Sequence, residues 1–303
     1  MKSTKLGVVI VCYNSADEVM ACVDSLIAGD AARLAITIVD NNSPDGSGIR
    51  LREWLGQRGL GVTLIDSGRN GGYAFGVNAG LRHLLSDRDI DAFWILNPDM
   101  TVPAHSIEAL TEYLATAPAF SLLGGRVIYA DGTGRIQTDG GLVNRWTGIT
   151  HNINLGGTLS VQPPLATTLQ FIMGGNMVAS RTFIERVGLM REDYFLYYEE
   201  VDWALRRPDD LPLAICPQLV VHHAAGTAIG SATLERGATR AAQFWKHRSR
   251  LMFLWRFNPA ALPVAILWSL AKSAQLAVKR QSAGARGLLA GTLAGLVGRR
   301  LNL

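Results

Sequence analysis

One predicted buried strand ends in a rigid polar turn. The apolar run 92–96 is followed at once by Asn97-Pro98-Asp99. Proline fixes its own φ and holds the preceding residue in an extended conformation, so the amide and the carboxylate are presented stiffly. Open α/β sheets bind ligands at the carboxyl ends of their strands. Asp99 is therefore a candidate ligand for Mg²⁺ or Mn²⁺, which take one or two carboxylates together with phosphate oxygens.

A histidine pair is the candidate source of a second metal ligand. His222 and His223 follow a late apolar run, predicted as a strand, and precede Gly226-Thr227. Imidazole nitrogen is a common ligand for first-row divalent metals. From the residues alone, a ligand role and an ordinary structural role are equally open for this pair.

Three carboxylates crowd into four positions of a short predicted helix. Glu199, Glu200 and Asp202 follow the aromatic stretch 194–198. Carboxylates that lie close together beside aromatic side chains raise one another's pKa, which suits a general base. The alternative is an acidic first helical turn that the helix dipole favours, with Arg206 and Arg207 at the other end.

Polar side chains also follow each of the three earlier predicted strands. They are Tyr13 and Asn14, then Asp40 and Asn42, then Arg69, Asn70 and Gly71. A tyrosine can stack on a base, an aspartate can accept a hydrogen bond from a base N–H, and glycine lets the backbone approach a phosphate. Each residue alone is an ordinary turn residue. Four such strand ends in series favour a nucleotide site, although the chain has neither the dinucleotide fingerprint after its first strand nor a P-loop.

Strands and helices alternate over the first 115 residues. This rhythm predicts an α/β fold with a Rossmann-like, doubly wound, mostly parallel sheet. We assign residues 1–235 to one domain with halves of about 1–122 and 123–235. From 123 to about 170 the sequence is glycine-rich, which predicts a mixed-sheet edge or loops that cover a substrate. Three scattered cysteines favour a reducing compartment.

The tail, residues 236–303, differs from the rest of the chain in charge. Residues 1–235 carry 17 basic and 25 acidic residues, a net charge of −8, whereas the tail carries 12 basic residues and no acid. Its two apolar runs, of 15 and 12 residues, are shorter than the roughly 18–20 residues of a spanning helix. We predict amphipathic helices on an anionic membrane surface. The alternatives are a homodimer interface or a cover for the sheet, and the apolar runs argue against a nucleic-acid partner.

Six stretches of the chain, in this order and spacing, resemble the GT-A-fold glycosyltransferases of family 2. They are VVIVCYNS, VDNNSPDGS, GRNGGYAFGVNAG, WILNPD, GGNMVASRTFIERVG and YFLYYEEVDWALR. Within that family they are most similar to bacterial rhamnosyltransferases that act on lipid-linked or cell-envelope glycans. The resemblance covers about residues 5–257, and as an ordered set it is specific for the family but less so for the sugar.

The resemblance implies roles for most of the candidate residues. Tyr13, Asn14, Asp40 and Asn42 would hold the pyrimidine nucleoside, and Arg69, Asn70, Gly71 and Asn78 would lie near ribose or phosphate. Asn97 and Asp99 match the family's metal-binding motif, and His222 aligns better than His223 with its late histidine. Glu200 stands where the family usually has an aspartate as the base, which leaves Glu199 and Asp202 as alternatives.

The resemblance also implies a reaction. It is a metal-dependent, inverting transfer of a sugar, with dTDP-rhamnose the favoured donor, to a lipid-linked or cell-envelope glycan such as lipopolysaccharide. The enzyme would work on the cytoplasmic face of the bacterial plasma membrane as a peripheral protein. The alternatives are a UDP-sugar-dependent enzyme of the same fold and a non-catalytic homologue that binds a nucleotide or glycan. A nucleotidyltransferase is disfavoured because its G-x-G-T-R loop is missing after the first strand.

Overall fold

The computed structural model describes residues 5–224 and 238–297. Several features of the sequence lie outside the described residues. They are the predicted domain boundary at 235, the Gly226-Thr227 pair, Arg236, Arg299 and Arg300.

Four parallel strands form the first half of the sheet. They are β1 (Lys5–Cys12), β2 (Leu34–Asp40), β3 (Thr63–Asp66) and β4 (Ile90–Leu96), in the order β3-β2-β1-β4. The helices that connect them are α1 (Ala16–Asp30), α2 (Ser47–Arg58) and α3 (Tyr73–Leu84). The parallel register pairs Cys12 with Asp40 and Asp40 with Asp66. The loops that follow β1, β2 and β3 therefore meet at one edge of the sheet.

The second half of the sheet inserts an antiparallel strand. Along the chain come β5 (Met100–Thr101), α4 (Ala104–Thr116), β6 (Leu122–Tyr129), β7 (Ile136–Thr138), β8 (Gly141–Val143), β9 (Thr150–Asn152), β10 (Asn176–Ser180), α5 (Arg181–Val187), α6 (Glu199–Leu205) and β11 (Ala214–His223). The sheet continues β4-β10-β6-β11-β5, with β10 antiparallel to both its neighbours. The helices cover both faces, so the predicted doubly wound α/β architecture is confirmed.

The glycine-rich stretch begins inside the sheet rather than at its edge. All eight residues of β6 are buried, and β6 lies between β10 and β11. A Cβ atom on Gly125 would lie 2.2 Å from the carbonyl oxygen of Leu219 on β11. The glycine thus permits a close approach between strands, and the predicted mixed-sheet edge is wrong for this segment. The later strands β8 and β9 do form a separate two-stranded sheet.

Three helices follow the sheet: α7 (Arg240–Phe257), α8 (Leu262–Val278) and α9 (Ser282–Val297). Helix α9 packs along α7 through three glycines one turn apart, Gly287, Gly291 and Gly295. A Cβ atom at each of these positions would lie 2.1–2.6 Å from a carbonyl oxygen of α7. Only residues without a side chain permit so short a distance between the two backbones.

Within the part of the chain that the structure describes, one helical stretch is long and apolar enough to cross a membrane by length and composition alone. It is Pro259–Val278, with 20 residues, of which about a third are buried in the protein. The helical stretch continues the 15-residue apolar run beyond Lys272, so length alone does not exclude a span.

Candidate active site

The loops after β1 and β2 are tied together by one serine. The Asp40 carboxylate accepts hydrogen bonds from the backbone N–H of Ser43 (3.3 Å) and from its hydroxyl (2.5 Å). The same Ser43 oxygen accepts a hydrogen bond from the N–H of Asn14 at 3.0 Å. Asn14 and Asn42 both have positive φ, 54° and 58°, a conformation that asparagine tolerates better than most residues. The ring of Tyr13 is exposed beside them, where a base can stack.

The loop after β3 is shaped by an asparagine that we did not single out from the sequence. Asn41 Nδ2 donates to Asn70 Oδ1 (3.2 Å) and to the carbonyl oxygen of Gly72 (3.0 Å). Asn70 Oδ1 also accepts from the N–H of Gly72, so Asn70 holds the glycine turn that includes Gly71. Arg69 is exposed at the rim, with its guanidinium 4.8 Å from the centre of the Phe75 ring. Of this loop, Arg69 is the group available to a phosphate.

Asn78 does not belong to this edge, and its predicted place near ribose or phosphate is wrong. Its side chain is buried on α3 and is hydrogen-bonded through both of its polar atoms. Nδ2 donates to the carbonyl oxygen of Met190 and to Glu192, and Oδ1 accepts from the N–H of Met190. The motif gave its position in the sequence but not the helix face on which it lies.

Tyr73, a second residue that we did not single out, lies at the centre of the site. Its hydroxyl is 2.8 Å from Asn97 Oδ1 and 3.0 Å from the carbonyl oxygen of Gly174. Burial raises the pKa of Tyr73, and the nearby carboxylates of Glu199, Glu200 and Asp99 raise it further. The candidate base Glu200 and the candidate metal ligand Asp99 thus both lie near enough to this tyrosine to act on its pKa. The only sequence signal was its place directly after Gly71-Gly72.

The structure places His223 beside Asp99, rather than the predicted ligand His222. His223 Nε2 lies 3.1 Å from Asp99 Oδ2, and both side chains are about nine-tenths buried. Successive side chains of a strand point to opposite faces, so His222 on β11 points away from Asp99. On its other side, His223 Nδ1 lies 2.5 Å from Gln137 Oε1. Such an outer hydrogen bond fixes the ring orientation of a metal-binding histidine.

The Asp99–His223 pair fits a divalent cation. It offers one carboxylate and one imidazole, with the ring held by Gln137. Mg²⁺ and Mn²⁺ complete such a set with water and phosphate oxygens. Among residues 5–224 and 238–297, no group of three or more His, Cys, Asp or Glu side chains is placed to hold a metal.

A strained aromatic loop leads into α6. Phe195, Tyr197 and Tyr198 have φ of 66°, 67° and 73°, which costs non-glycine residues about 1–3 kcal/mol each. Long-range contacts hold this conformation: the Phe195 ring stacks on Trp245 of α7 at 4.3 Å, and the Tyr198 hydroxyl donates to the carbonyl oxygen of Gly148 at 2.6 Å. Strain of this kind is typical of functional sites.

The aromatic loop leads directly to Glu200, the second residue of α6. Glu200 is half-buried. It packs against Gly174, where an added Cβ atom would lie 3.3 Å from the Cβ atom of Glu200. Burial raises the pKa of Glu200 to about 7, against the opposing effect of Lys246 on α7. Its neighbour Glu199 is more deeply buried, and both burial and the charge of Glu200 raise the pKa of Glu199. A partly exposed carboxyl group whose pKa lies near neutral pH is suited to accept a proton.

Asp202, the second alternative to Glu200 as the base, lies in the interior. It is fully buried and points away from the cleft, since it lies two residues, or about 200°, further around the helix than Glu200. It accepts hydrogen bonds from the Tyr194 hydroxyl and from Arg206 Nε, both at 2.8 Å, and lies 3.9 Å from Arg256 Nη1. Its charge stabilises the fold around α6.

Residues 7–188, more than half of the chain, match the family model described as glycosyl transferase family 2. The chain belongs to glycosyl transferase family 2. A curated member, the low-salt glycan biosynthesis hexosyltransferase Agl10 of Haloferax volcanii, is 26% identical over 221 residues. That alignment covers 70% of this chain and 64% of the relative, so the chain spans less than two thirds of the relative's length.

Solved structures of glycosyltransferases share the fold. The mannosyltransferase PcManGT of Pyrobaculum calidifontis, in complex with GDP-Man and Mn²⁺, superposes with a TM-score of 0.58 at 17% identity and covers 96% of this chain and 87% of its own. GalNAc-T7 with UDP, GalNAc and Mn²⁺ gives a TM-score of 0.57 at 14% identity, covering 83% of this chain and 47% of its own. S. aureus TarS 1-349 in complex with UDP gives a TM-score of 0.52 at 11% identity, and the superposition covers 86% of this chain and 70% of the TarS chain. The predicted GT-A fold is confirmed.

Proposed function

We propose that this family 2 member is a metal-dependent hexosyltransferase that uses a nucleotide-sugar donor and inverts the anomeric centre. The observation that carries the proposal is that Glu200, whose pKa is raised to about 7, and Asp99, which pairs with His223, both act on the hydroxyl of one tyrosine, Tyr73. The hexosyltransferase relative supports the class of reaction. The neighbours solved with GDP-Man or UDP and with Mn²⁺ support the class of donor and the cation.

Each part of the site then has a task. Tyr13 stacks on the base, Asp40 and Asn42 contact the nucleoside, and Arg69 neutralises charge on the diphosphate. A divalent cation, when bound by Asp99 and His223, stabilises negative charge on the departing nucleoside diphosphate. Tyr73 and Asn97 form the wall of the cleft between donor and base.

The chemical step is a single displacement. Glu200 accepts the proton of the acceptor hydroxyl while the acceptor oxygen attacks the anomeric carbon of the sugar. The new glycosidic bond forms as the bond to the nucleoside diphosphate breaks, and the leaving group departs with the bonding electron pair. General-base help of this kind contributes about 10²–10⁴-fold. The extra methylene of Glu200, compared with the usual aspartate of the family, requires an acceptor that sits correspondingly further out.

The variant Glu200→Gln tests this role directly. We expect turnover to fall by about 10²–10⁴-fold, while calorimetric affinity for the donor stays unchanged because Glu200 is not in the nucleotide loops. The control is Glu53→Gln, which changes an exposed acid of α2. Full turnover by Glu200→Gln would remove Glu200 from the mechanism. No turnover by the wild type with any donor that it binds would favour a non-catalytic binding protein.

The sugar is a second, finer part of the proposal. The resemblance to rhamnosyltransferases favours dTDP-rhamnose, transferred to a lipid-linked or cell-envelope glycan on the cytoplasmic face of the membrane. Calorimetry with dTDP-rhamnose, UDP-glucose, UDP-GlcNAc, UDP-galactose and GDP-mannose, each with and without Mn²⁺, ranks the donors. Metal-dependent preference for dTDP-rhamnose is the expected result. Preference for a UDP- or GDP-sugar would keep the mechanism and discard rhamnose.

A further inference from the structure

The outer sides of α8 and α9 together form an exposed apolar surface, here called the α8–α9 face. Its members recur at helical spacing: Val264, Leu267, Leu270 and Val278 on α8, and Leu289, Leu293 and Val297 on α9. Their exposed fractions are large, 66% for Leu267, 63% for Leu293 and 85% for Val278. Exposed apolar residues that recur along one side of a helix mark a site of interaction.

The exposure of this face follows from how the two helices are anchored. On α9, the glycines that touch α7 alternate with the exposed residues: Gly291 lies two residues, or about 200° around the helix, from Leu293. On α8, the opposite side carries Ser269, which bonds to Arg250 of α7, and Ser273, which donates to the carbonyl oxygen of Ala285. Both helices are therefore fixed with their apolar residues outward.

The charges around the α8–α9 face indicate the chemical class of its partner. Lys272, Lys279, Arg280 and Arg286 lie on or between α8 and α9, and residues 238–297 contain no Asp or Glu. Apolar residues inserted among headgroups, with lysine and arginine beside them, match an anionic lipid surface. We propose that the α8–α9 face docks on an anionic bilayer and lies within its headgroup layer.

Two other occupants fit the structure less well. A second copy that paired this face with itself by a two-fold axis would bring the same cations together with no acid between them. A spanning α8 would carry its middle into hydrocarbon, yet Arg250 holds that middle against the catalytic domain. Its guanidinium donates to the hydroxyl of Ser269, near the middle of α8, and to the carbonyl oxygen of Thr147 before β9.

The docking surface is joined to the acceptor side of the site. Asn258, between α7 and α8, donates to the carbonyl oxygen of Arg145 at 2.8 Å. Three residues further along the same β8–β9 turn, Gly148 accepts the hydrogen bond from Tyr198, which precedes the Glu199-Glu200 pair. This turn thus contacts α7, the residue that leads from α7 towards α8, and the loop that carries the base. The acceptor that we infer is accordingly one held in the same bilayer, an inference that rests on the proposed function.

Vesicle binding tests the surface without any need for turnover. The variant Leu267→Asp/Leu293→Asp introduces two charges into the face, and Ile49→Asp on α2, exposed to 63%, is the matched control. The probes are sedimented vesicles of phosphatidylcholine alone and of phosphatidylcholine with an equal amount of phosphatidylglycerol. We expect the wild type and Ile49→Asp to bind the anionic vesicles, and the double variant to bind at least about tenfold more weakly. Near-identical melting temperatures confirm that the variants fold.

A charge variant and four contrary outcomes complete the test. Lys279→Glu/Arg280→Glu should weaken anionic-vesicle binding and leave the apolar face intact. Equal binding to both kinds of vesicle, or full binding by the double variant, would overturn the proposal. So would membrane association that resists alkaline extraction, which indicates a span, or a wild-type dimer that Leu267→Asp dissociates. Because Glu200→Gln should bind vesicles like the wild type, a failed mechanism and a failed docking surface give different results.

Discussion

The two ends of the cleft are built by different means. At the nucleotide end, side chains at the carboxyl ends of β1, β2 and β3 bond to one another across neighbouring loops, as Asp40, Ser43 and Asn14 do. At the base end, a loop with three left-handed aromatic residues is held by α7, more than forty residues later in the chain. The sheet itself organises the donor site, whereas distant packing organises the base.

The support for the base loop is extensive. From α7, Arg248 Nη1 donates to the carbonyl oxygen of Tyr194 (3.1 Å), and the Ser249 hydroxyl lies 2.8 Å from that of Leu196. Arg256 pairs with Asp193. We call the supporting residues Arg248, Ser249 and Arg256 the brace. We expect changes at the nucleotide end to alter donor or metal binding and to leave the stability of the fold unchanged. Changes at the brace should lower stability and turnover but leave donor binding unchanged.

The largest effect expected at the nucleotide end is that of Asp99→Asn. It removes the carboxylate that we assign to the cation, and loss of one such stabilising group costs on the order of 10²–10³-fold in turnover. Initial rates at saturating donor and Mn²⁺ measure it. Asp91→Asn, at an exposed position on β4, the strand that precedes Asp99, should behave as the wild type. Equal rates for the two variants would contradict the assignment.

The histidine pair gives a sharper comparison between adjacent residues. His223→Ala removes the imidazole beside Asp99 and should weaken Mn²⁺ binding in the presence of donor by about 10–100-fold. His222→Ala, on the opposite face of β11, should change it little. Calorimetric titration of Mn²⁺ into each donor complex provides the measurement. A larger loss of Mn²⁺ affinity in His222→Ala than in His223→Ala would favour His222 as the ligand, as predicted from the sequence.

A brace variant should separate stability from donor binding. Arg256→Ala removes a partner of Asp193 and of the buried Asp202, and we expect a loss of about 1–3 kcal/mol in the free energy of unfolding. Turnover should fall while the dissociation constant of the donor stays constant. Arg186→Ala breaks an exposed pair with Asp210 and should cost under about 1 kcal/mol. Urea denaturation measures both variants.

The smallest expected effect concerns Glu199 and pH. Burial and the charge of Glu200 raise the pKa of Glu199 above its ordinary value, so the folded state favours the protonated form. Its contribution to stability is fully present below the pKa of the unfolded chain and is lost as pH rises through the folded pKa. Glu199→Gln removes that loss. As the pH rises above the ordinary pKa of a glutamate, the melting temperature of the variant should rise relative to that of the wild type, and a difference that stays constant with pH would contradict the shift.

The sequence predicted the parallel part of the fold well because its signals are local. Continuous apolar runs identified β1, β2 and β4, and the turn Asn97-Pro98-Asp99 identified a ligand-binding strand end. The position of β6 inside the sheet was not predicted. Its glycines read as loop residues, and only the approach of Leu219 shows why they lie in a strand.

The errors in the site have one physical origin, the direction in which a side chain points. A shift of one residue separates His222 from His223 on a strand. On helices, Asn78 and Asp202 lie at correct positions in their motifs but on faces turned to the interior. Tyr73 enters the candidate site through partners from two distant segments, Asn97 and Gly174. No local pattern contains that information.

Because the loop that leads to Glu200 is supported by α7, the two parts of the site form in a fixed order during biosynthesis. The ribosome completes β1 to β4 and α6 before it makes α7, so the donor site forms on the growing chain earlier than the base loop acquires its support. On the proposed function, a nascent or truncated chain that ends before residue 240 would bind a nucleotide sugar but would lack a positioned base for the transfer. Competence to transfer arises only with the last helices, the same ones that we propose carry the enzyme to the bilayer.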